Sequence, residues 1–295
     1  METTKKENKL GFLFAVLKVL GIILAVVVVA LGVLYFYVRV VLGIDIFGII
    51  RIAKSLGSDF DETTLITSPV TETDMEQTFM QFDLAGLDGF YTEQDGKYKI
   101  ADDLSSLALA TQDISFTDVQ TCALLQNVLN ATFELNQGVK LDFEIEQIKF
   151  SNFVSMANGG KVDVNMVLHT SLKELKSLIN TFPINLFLGF IPDEAYVSLN
   201  FSVEQTDDFT YTITPINMTL NKLTADQTAK IVGVVGMVFD GINAQSLCKD
   251  LGNIAFQILI GSDEGTGLAK EMQVLGINSF AFEQVGEKIK LSFKI

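Results

Sequence analysis

The sequence has no tryptophan, one histidine and two cysteines among its 295 residues. Without indole rings, a sugar site built on ring stacking is disfavoured. The single histidine, His169, excludes metal sites with several histidines, and the two distant cysteines, Cys122 and Cys248, exclude paired-cysteine zinc sites. We predict that His169 is a surface residue on the polar face of a strand. We predict that both cysteines are buried free thiols, and the alternative is one bridge between them in an oxidising compartment.

Sequence motifs that carry catalysis are also absent. The chain has no glycine-rich phosphate loop ending in Lys and Ser or Thr, and no Gly-x-Ser-x-Gly nucleophile turn. Adjacent carboxylates occur at Asp102-Asp103 and Asp207-Asp208, but both pairs lie in turn-like stretches. We therefore predict that the protein is not an enzyme and that it has no cofactor and no metal site.

Basic residues are scarce beyond the N-terminal segment. From residue 40 onward the chain holds 16 basic and 34 acidic residues, which gives this part a net charge of −18. A body this acidic repels phosphate backbones, so we predict no nucleic-acid partner. The surface of the body is expected to be well solvated.

One long hydrophobic run lies near the N-terminus. Residues 19–38 carry no charge, and a helix of that length spans about 30 Å, the hydrocarbon thickness of a bilayer. We predict a transmembrane helix over residues 19–41, after a cytoplasmic tail that includes the start of the anchor (residues 1–18). The alternative is a cleaved signal peptide, but the apolar region of such a peptide is normally about 7–15 residues long.

Lysines determine the predicted orientation of this anchor. A tight basic cluster precedes the apolar run, and it consists of Lys5, Lys6, Lys9 and Lys18. Because basic segments stay on the cytoplasmic side, we predict a single-pass protein of the cell membrane with a cytoplasmic N-terminus and an extracytoplasmic body. The lipid bilayer is then a partner through the N-terminal helix.

Residues 42–87 are predicted to form a juxtamembrane helix and a linker. Apolar residues recur at helical spacing over residues 43–57, which fits a helix on the membrane surface or a helix packed on the body. Residues 59–77 are acidic, rich in threonine and nearly free of periodicity. This stretch predicts an irregular linker.

Residues 88–295 are predicted to form an α+β body. Asp95-Gly96 between apolar and aromatic flanks is a strong hairpin signal, because that turn needs positive φ. Alternation of apolar and polar residues predicts half-buried strands at residues 162–169, 195–203, 209–220 and 289–295. The predicted fold is thus an N-terminal transmembrane helix followed by a curved antiparallel β-sheet body with long helices packed on it. One of these helices is expected over residues 245–260.

The same helix start occurs twice in the body. Threonine, glutamine and threonine occupy equivalent places in two stretches that begin 107 positions apart, as Thr117, Gln120, Thr121 and as Thr224, Gln227, Thr228. Threonine followed by glutamine three residues later is a capping box, so we predict helices over residues 117–130 and 224–239. A strand is the alternative for the β-branched residues 231–239. The shared order of elements also predicts two similar halves, residues 88–180 and 195–295.

The second of these helices is apolar on every side. Residues 231–239 have no polar side chain, so this part of the helix must be covered all round. It is either a central core helix or the wall of a groove for an apolar ligand such as an acyl chain. For the groove, the candidate ligand-binding residues are Ile231, Val234, Val235, Val238 and Phe239.

The layout of strands and capped helices over residues 88–295 resembles the tubular lipid-binding domains. It is also similar to single-pass bacterial envelope proteins with a β-rich body. The resemblance implies a long curved sheet wrapped on a helix and a non-catalytic function in binding a lipid or another apolar ligand. It transfers no functional residue to this chain. The alternative function is an envelope protein–protein scaffold with a solid core and no ligand.

Overall fold

The computed structural model describes residues 51–52, 54–56, 60–133, 143–156, 159–171, 192–236, 243–261 and 267–295. The predicted membrane helix (residues 19–41) lies outside these ranges. Among the helices that the structure does describe, none is long and apolar enough to cross a membrane.

The described chain contains both helices and strands, with three short 3-10 turns at Glu62–Thr64, Leu104–Ser106 and Met272–Leu275. In chain order the longer elements are α1 (Glu72–Leu84), β1 (Tyr91–Gln94), β2 (Lys97–Ile100), β3 (Ile114–Thr117), α2 (Asp118–Phe133), β4 (Phe143–Met156), β5 (Gly159–Ser171), β6 (Glu194–Asp207), β7 (Thr210–Leu220), α3 (Ala225–Gly236), α4 (Ala244–Leu259), α5 (Leu268–Glu271), β8 (Ser279–Val285) and β9 (Lys288–Lys294).

The strands form three antiparallel sheets, which confirms the predicted α+β class. The largest sheet has the order β4-β5-β6-β7, the second has the order β3-β9-β8, and β1 and β2 form a separate hairpin. The hairpin turns at Asp95-Gly96 as predicted, and both residues have positive φ (53° and 74°). The four-stranded sheet takes two strands from each predicted half. The duplication itself stays a prediction.

Both predicted capping boxes are formed. The Thr117 N–H donates to Gln120 Oε1 (2.9 Å) while Thr117 Oγ1 accepts from the Gln120 N–H (3.3 Å). The same two contacts, at the same distances, join Thr224 and Gln227. These caps start α2 and α3, so residues 225–236 are helical rather than extended. The helix predicted over residues 245–260 is also confirmed, as α4.

The core lies between the large sheet, the helices and the smaller sheet. Helix α2 packs on β4, and α4 packs on β6 and β7. At Gly252 the α4 backbone comes close to the sheet, because a Cβ there would lie 3.3 Å from side-chain atoms of both Phe201 and Ile213. Cys122 on α2 and Cys248 on α4 are buried free thiols, which confirms that prediction. Burial raises the pKa of both thiols, although backbone carbonyls accept hydrogen bonds from them.

Part of the predicted linker is ordered structure that belongs to the body. Helix α1 begins inside it, with a capping box between Thr71 and Asp74. Phe79 and Phe82 on α1 are fully buried, and they stack on Tyr98 and Phe90 respectively at centroid distances of 4.2 Å. The body therefore extends N-terminal to residue 88. The first turn of α1 is acidic and rich in threonine, because polar residues there serve as caps. The sequence therefore lacks the helical recurrence of apolar residues that would predict this helix.

Candidate functional site

The most distinctive polar cluster of the described chain surrounds His169, on the face of the four-stranded sheet opposite the core. In the strand register, His169 on β5 lies between Glu144 on β4 and Tyr196 on β6. The polar face was predicted correctly, but the expected surface position is wrong, because only 21% of the side chain is exposed. Side chains from the neighbouring strands β4 and β6 lie against the ring.

Both imidazole nitrogens face a carboxylate. Nδ1 lies 3.2 Å from Glu146 Oε1, and Nε2 lies 3.0 Å from Glu194 Oε2. Glu146 reaches the ring because the β4 ladder has a register shift between Ile145 and Gln147, a bulge that re-aims the side chain. Since ionised carboxylates only accept hydrogen bonds, both contacts are satisfied by an imidazolium with two N–H donors. Burial alone lowers the pKa of His169, but the hydrogen bonds and charges of Glu146 and Glu194 outweigh it and raise the pKa.

Tyr196 connects the imidazole to a segment that lies over this face. Its ring stacks on His169 with a centroid distance of 4.4 Å and an interplanar angle of 15°. Its hydroxyl donates a hydrogen bond to Glu62, and its ring contacts Phe60 at 5.4 Å. Burial, then the hydrogen bond to Glu62, raises the pKa of Tyr196 above the ordinary tyrosine value, so this phenol stays protonated at physiological pH.

We call residues 60–68, which run over the polar face of the sheet, the strap. Gln147 holds the second half of the strap: its Oε1 accepts from the N–H groups of Thr67 (2.8 Å) and Ser68 (2.9 Å), and its Nε2 donates to the Leu65 carbonyl (3.2 Å). Just before the strap, the Leu56 carbonyl accepts from Asn221 Nδ2 (3.3 Å). The second half of the strap is thus docked through polar contacts.

An amide ladder continues across the sheet from Gln147. Gln147 Nε2 donates to Asn165 (3.3 Å), Asn165 donates to Asn200 (2.9 Å), and Asn200 donates to Asn217 (2.7 Å). These side chains link all four strands on one face. Such a network fixes the register of the sheet beneath the strap, because every amide needs its partner at hydrogen-bond distance.

Three side chains of the cluster are of the types that ligate divalent cations, but we assign no metal site to them. Glu144, Glu146 and His169 offer ligand atoms that all lie within 4.8 Å of one another. Carboxylate and imidazole ligands suit first-row divalent metals. The contacts of the ring with Glu146 and Glu194 are equally those of an ion-paired imidazolium, so the geometry does not require a metal.

No protein-family model, no curated protein and no solved structure matches this chain. The resemblance to tubular lipid-binding domains therefore stays a prediction.

The predicted ligand-binding residues are only partly within the described chain. Ile231, Val234 and Val235 lie on α3, whereas Val238 and Phe239 lie outside the described residues. Helix α3 contacts β7 and α4, and Thr228 and Val232 on its buried side are fully enclosed. The predicted groove stays untested by these contacts.

A cavity of about 510 Å³ lies elsewhere, between α1, the start of α2 and the β8–β9 turn. Most of the side chains around it are polar or charged, and they include Asp74, Gln81, Asp118, Lys288 and Lys290. This lining does not suit an acyl chain.

Proposed function

We propose that this chain is a membrane-anchored protein whose extracytoplasmic body is a non-catalytic scaffold for another protein of the cell envelope. The sequence offers two functions, a lipid carrier and a scaffold, and a carrier needs an open space between helix and sheet. The observation that favours the scaffold is the close packing of α4 on the sheet at Gly252.

The packing around Gly252 leaves little room for a ligand. Phe201 on the sheet and Phe256 on α4 are almost completely buried and meet edge to face, with a centroid distance of 6.1 Å. Phe256 also contacts Phe282 on β8 at 6.1 Å, which joins α4 to the second sheet. Interdigitated rings of this kind are typical of a solid core. A scaffold of this type presents its outer surface, rather than its interior, to a partner.

Site-specific photo-crosslinking in the native membrane tests this proposal. A photoreactive residue at an exposed apolar position, Leu109 or Val274, is expected to give a discrete adduct with one protein. The same residue at buried Phe282 is the control and should give none. Native mass spectrometry of the purified full chain should show no lipid bound in a fixed ratio. Stoichiometric lipid, together with the absence of adducts at the exposed positions, would overturn the scaffold proposal.

Lipid binding is a second candidate, favoured by the position of α3 beside the edge strand β7. An acyl chain along the apolar part of α3 would contact Ile231, Val234 and Val235, and further on Val238 and Phe239. A Gly236→Phe change is expected to block such a groove and to abolish lipid co-purification. Lipid that persists in a variant with an unchanged circular dichroism spectrum would reject this groove.

A further inference from the structure

We infer that the strap is a proton-dependent latch: its first half stays docked on the four-stranded sheet while His169 is an imidazolium, and it loosens when His169 becomes neutral. The inference goes beyond the scaffold proposal and does not depend on it. It rests on the contacts that connect one imidazole to three strands and to the strap.

The first step is the charge around the ring. Carboxylates face His169 from both neighbouring strands, Glu144 and Glu146 from β4 and Glu194 from β6. On β5 itself, Ser171 hydrogen-bonds to Glu194 (3.4 Å). A neutral ring has a lone pair on one nitrogen, and that lone pair would point at an acceptor-only carboxylate. Loss of the proton therefore breaks one of the two contacts and leaves the carboxylates without their shared cation.

The second step is the connection from the ring to the strap. Tyr196 stacks on His169, and an imidazolium over an aromatic face is favoured by the ring quadrupole. The same Tyr196 donates its hydroxyl to Glu62 and contacts Phe60. When His169 becomes neutral, its positive charge no longer offsets the carboxylates beneath the strap, so the carboxylate of Glu62 is repelled more strongly. Tyr196 then stacks on a neutral ring rather than on a cation. Both changes weaken the docking of the first half of the strap.

The third step sets the extent of the opening. The second half of the strap is held by Gln147, whose amide does not titrate, so residues 65–68 should stay docked. The direction follows from the raised pKa of His169. A group whose pKa is higher in the folded state stabilises that state below its unfolded pKa, about 6.5 for histidine, and the stabilisation is lost as the pH rises through the folded value.

Because the chain has no tryptophan, one introduced indole gives a fluorescence signal from a single known position. A Phe60→Trp variant of the full chain in detergent, with a chelator in every buffer, reports on the strap through a single indole. Between about pH 5.5 and about pH 9 we expect its emission to shift to the red and acrylamide quenching to rise roughly twofold in one transition. Because His169 is the only histidine, adding His169→Gln should remove this transition. The Tyr196→Phe change should leave the indole exposed at every pH.

Two outcomes would overturn the latch. One is a signal that stays flat over this pH range in the Phe60→Trp chain. The other is a transition that persists after His169→Gln, since it would then come from another group such as the α-amino terminus. Hydrogen exchange of the unsubstituted chain, corrected for intrinsic rates, checks that the indole itself does not release the strap. Faster exchange at high pH is expected in residues 60–64, and equal acceleration in residues 65–68 would contradict the inference.

Discussion

Gln147 is a buried residue whose side-chain amide forms hydrogen bonds with two separate parts of the molecule. It serves the strap on one side and Asn165 of the amide ladder on the other, and it is only 2% exposed. A Gln147→Leu change keeps much of the volume but leaves the strap N–H groups without an acceptor. We expect the free energy of unfolding to fall by about 2 kcal/mol, measured by chemical denaturation.

The matched control for this change is Gln284→Leu. Gln284 is exposed at the end of β8, and among the described residues its amide bonds only to the carbonyl of Gly286 in the nearby turn. Its replacement should alter the stability by less than about 0.5 kcal/mol. Equal effects of the two substitutions would show that Gln147 does not hold the strap.

Asp113 gives a prediction for the pH dependence of stability. Its carboxylate accepts from Lys294 Nζ (2.8 Å) and from the Ile295 N–H (3.1 Å). Partial burial raises the pKa of Asp113, but these two contacts outweigh it, so the pKa is lowered. A lowered pKa stabilises the folded state above the unfolded value, about 3.9, and this contribution is lost as the pH falls through the folded value.

Asp113→Asn should therefore destabilise the protein at pH 7 by roughly 0.5–1 kcal/mol, with a difference from the parent that shrinks toward zero in acid. Thermal unfolding at a series of pH values measures this. Asp102→Asn is the control, because the ion pair of Asp102 with Lys99 is almost fully exposed and should contribute nothing measurable. A difference that grows in acid would contradict the assignment.

At the scale of elements, the repeated helix start shows that one sequence motif supports two different local structures. Thr121 and Thr228 occupy the same place in the motif, and both are fully buried. However, Thr121 Oγ1 donates to the Thr117 carbonyl (2.8 Å), whereas Thr228 Oγ1 accepts from the Leu220 N–H (3.1 Å) at the end of β7. The first contact is within a helix, and the second joins α3 to the sheet.

This difference predicts unequal costs for the same substitution. Thr228→Val should cost about 1–3 kcal/mol, because it leaves the buried Leu220 N–H without a partner. Thr121→Val should cost no more than about 0.5 kcal/mol, since the carbonyl of a capping residue also accepts an intrahelical bond. Urea denaturation of the two variants compares them directly. Similar losses would mean that the two helix starts are equivalent in structure as well as in sequence.

Elements encoded by neighbouring residues could be predicted from the sequence, and those that depend on strand register could not. The Asp95-Gly96 turn, both capping boxes and α4 each depend on residues a few positions apart. The His169 cluster does not, because Glu62, Glu146 and Glu194 come from distant segments. Their meeting depends on the pairing of three strands, on a bulge at Glu146 and on the path of the strap. None of these three features can be recognised from the order of the residues along the chain. The sequence therefore predicts an ordinary surface position for His169.

For the whole molecule, the strap and α1 make the segment before residue 88 part of the body. Leu56 is 4% exposed and belongs to the core, and α1 contributes two of its largest buried rings, Phe79 and Phe82. If residues 19–41 span the bilayer as predicted, about 15 residues separate the anchor from Leu56. At about 3.5 Å per residue even a fully extended link keeps the body within roughly 50 Å of the membrane. A partner of the proposed scaffold would then lie at or near the bilayer.

Truncation tests how much of the chain the body needs. A chain of residues 51–295 keeps Leu56, the strap and α1, and we expect it to be monomeric and to unfold cooperatively. A chain of residues 88–295, the body predicted from the sequence, should aggregate or lose cooperative unfolding. Removal of Phe79 and Phe82 would uncover Tyr98, Phe90 and the neighbouring core, and the loss of each buried phenylalanine ring costs about 3–5 kcal/mol.

Size-exclusion chromatography and calorimetry separate these outcomes. Phe82→Ala in the full chain is the companion variant, since it removes one buried ring without deleting the strap, and its melting temperature should fall by roughly 10 °C. The loss of one buried ring costs a large part of the free energy of unfolding of a typical domain. The loss of both rings together with the helix that carries them should therefore cost more than the whole free energy of unfolding. A monomeric, cooperatively unfolding chain of residues 88–295 would show instead that α1 only covers a core that is complete without it.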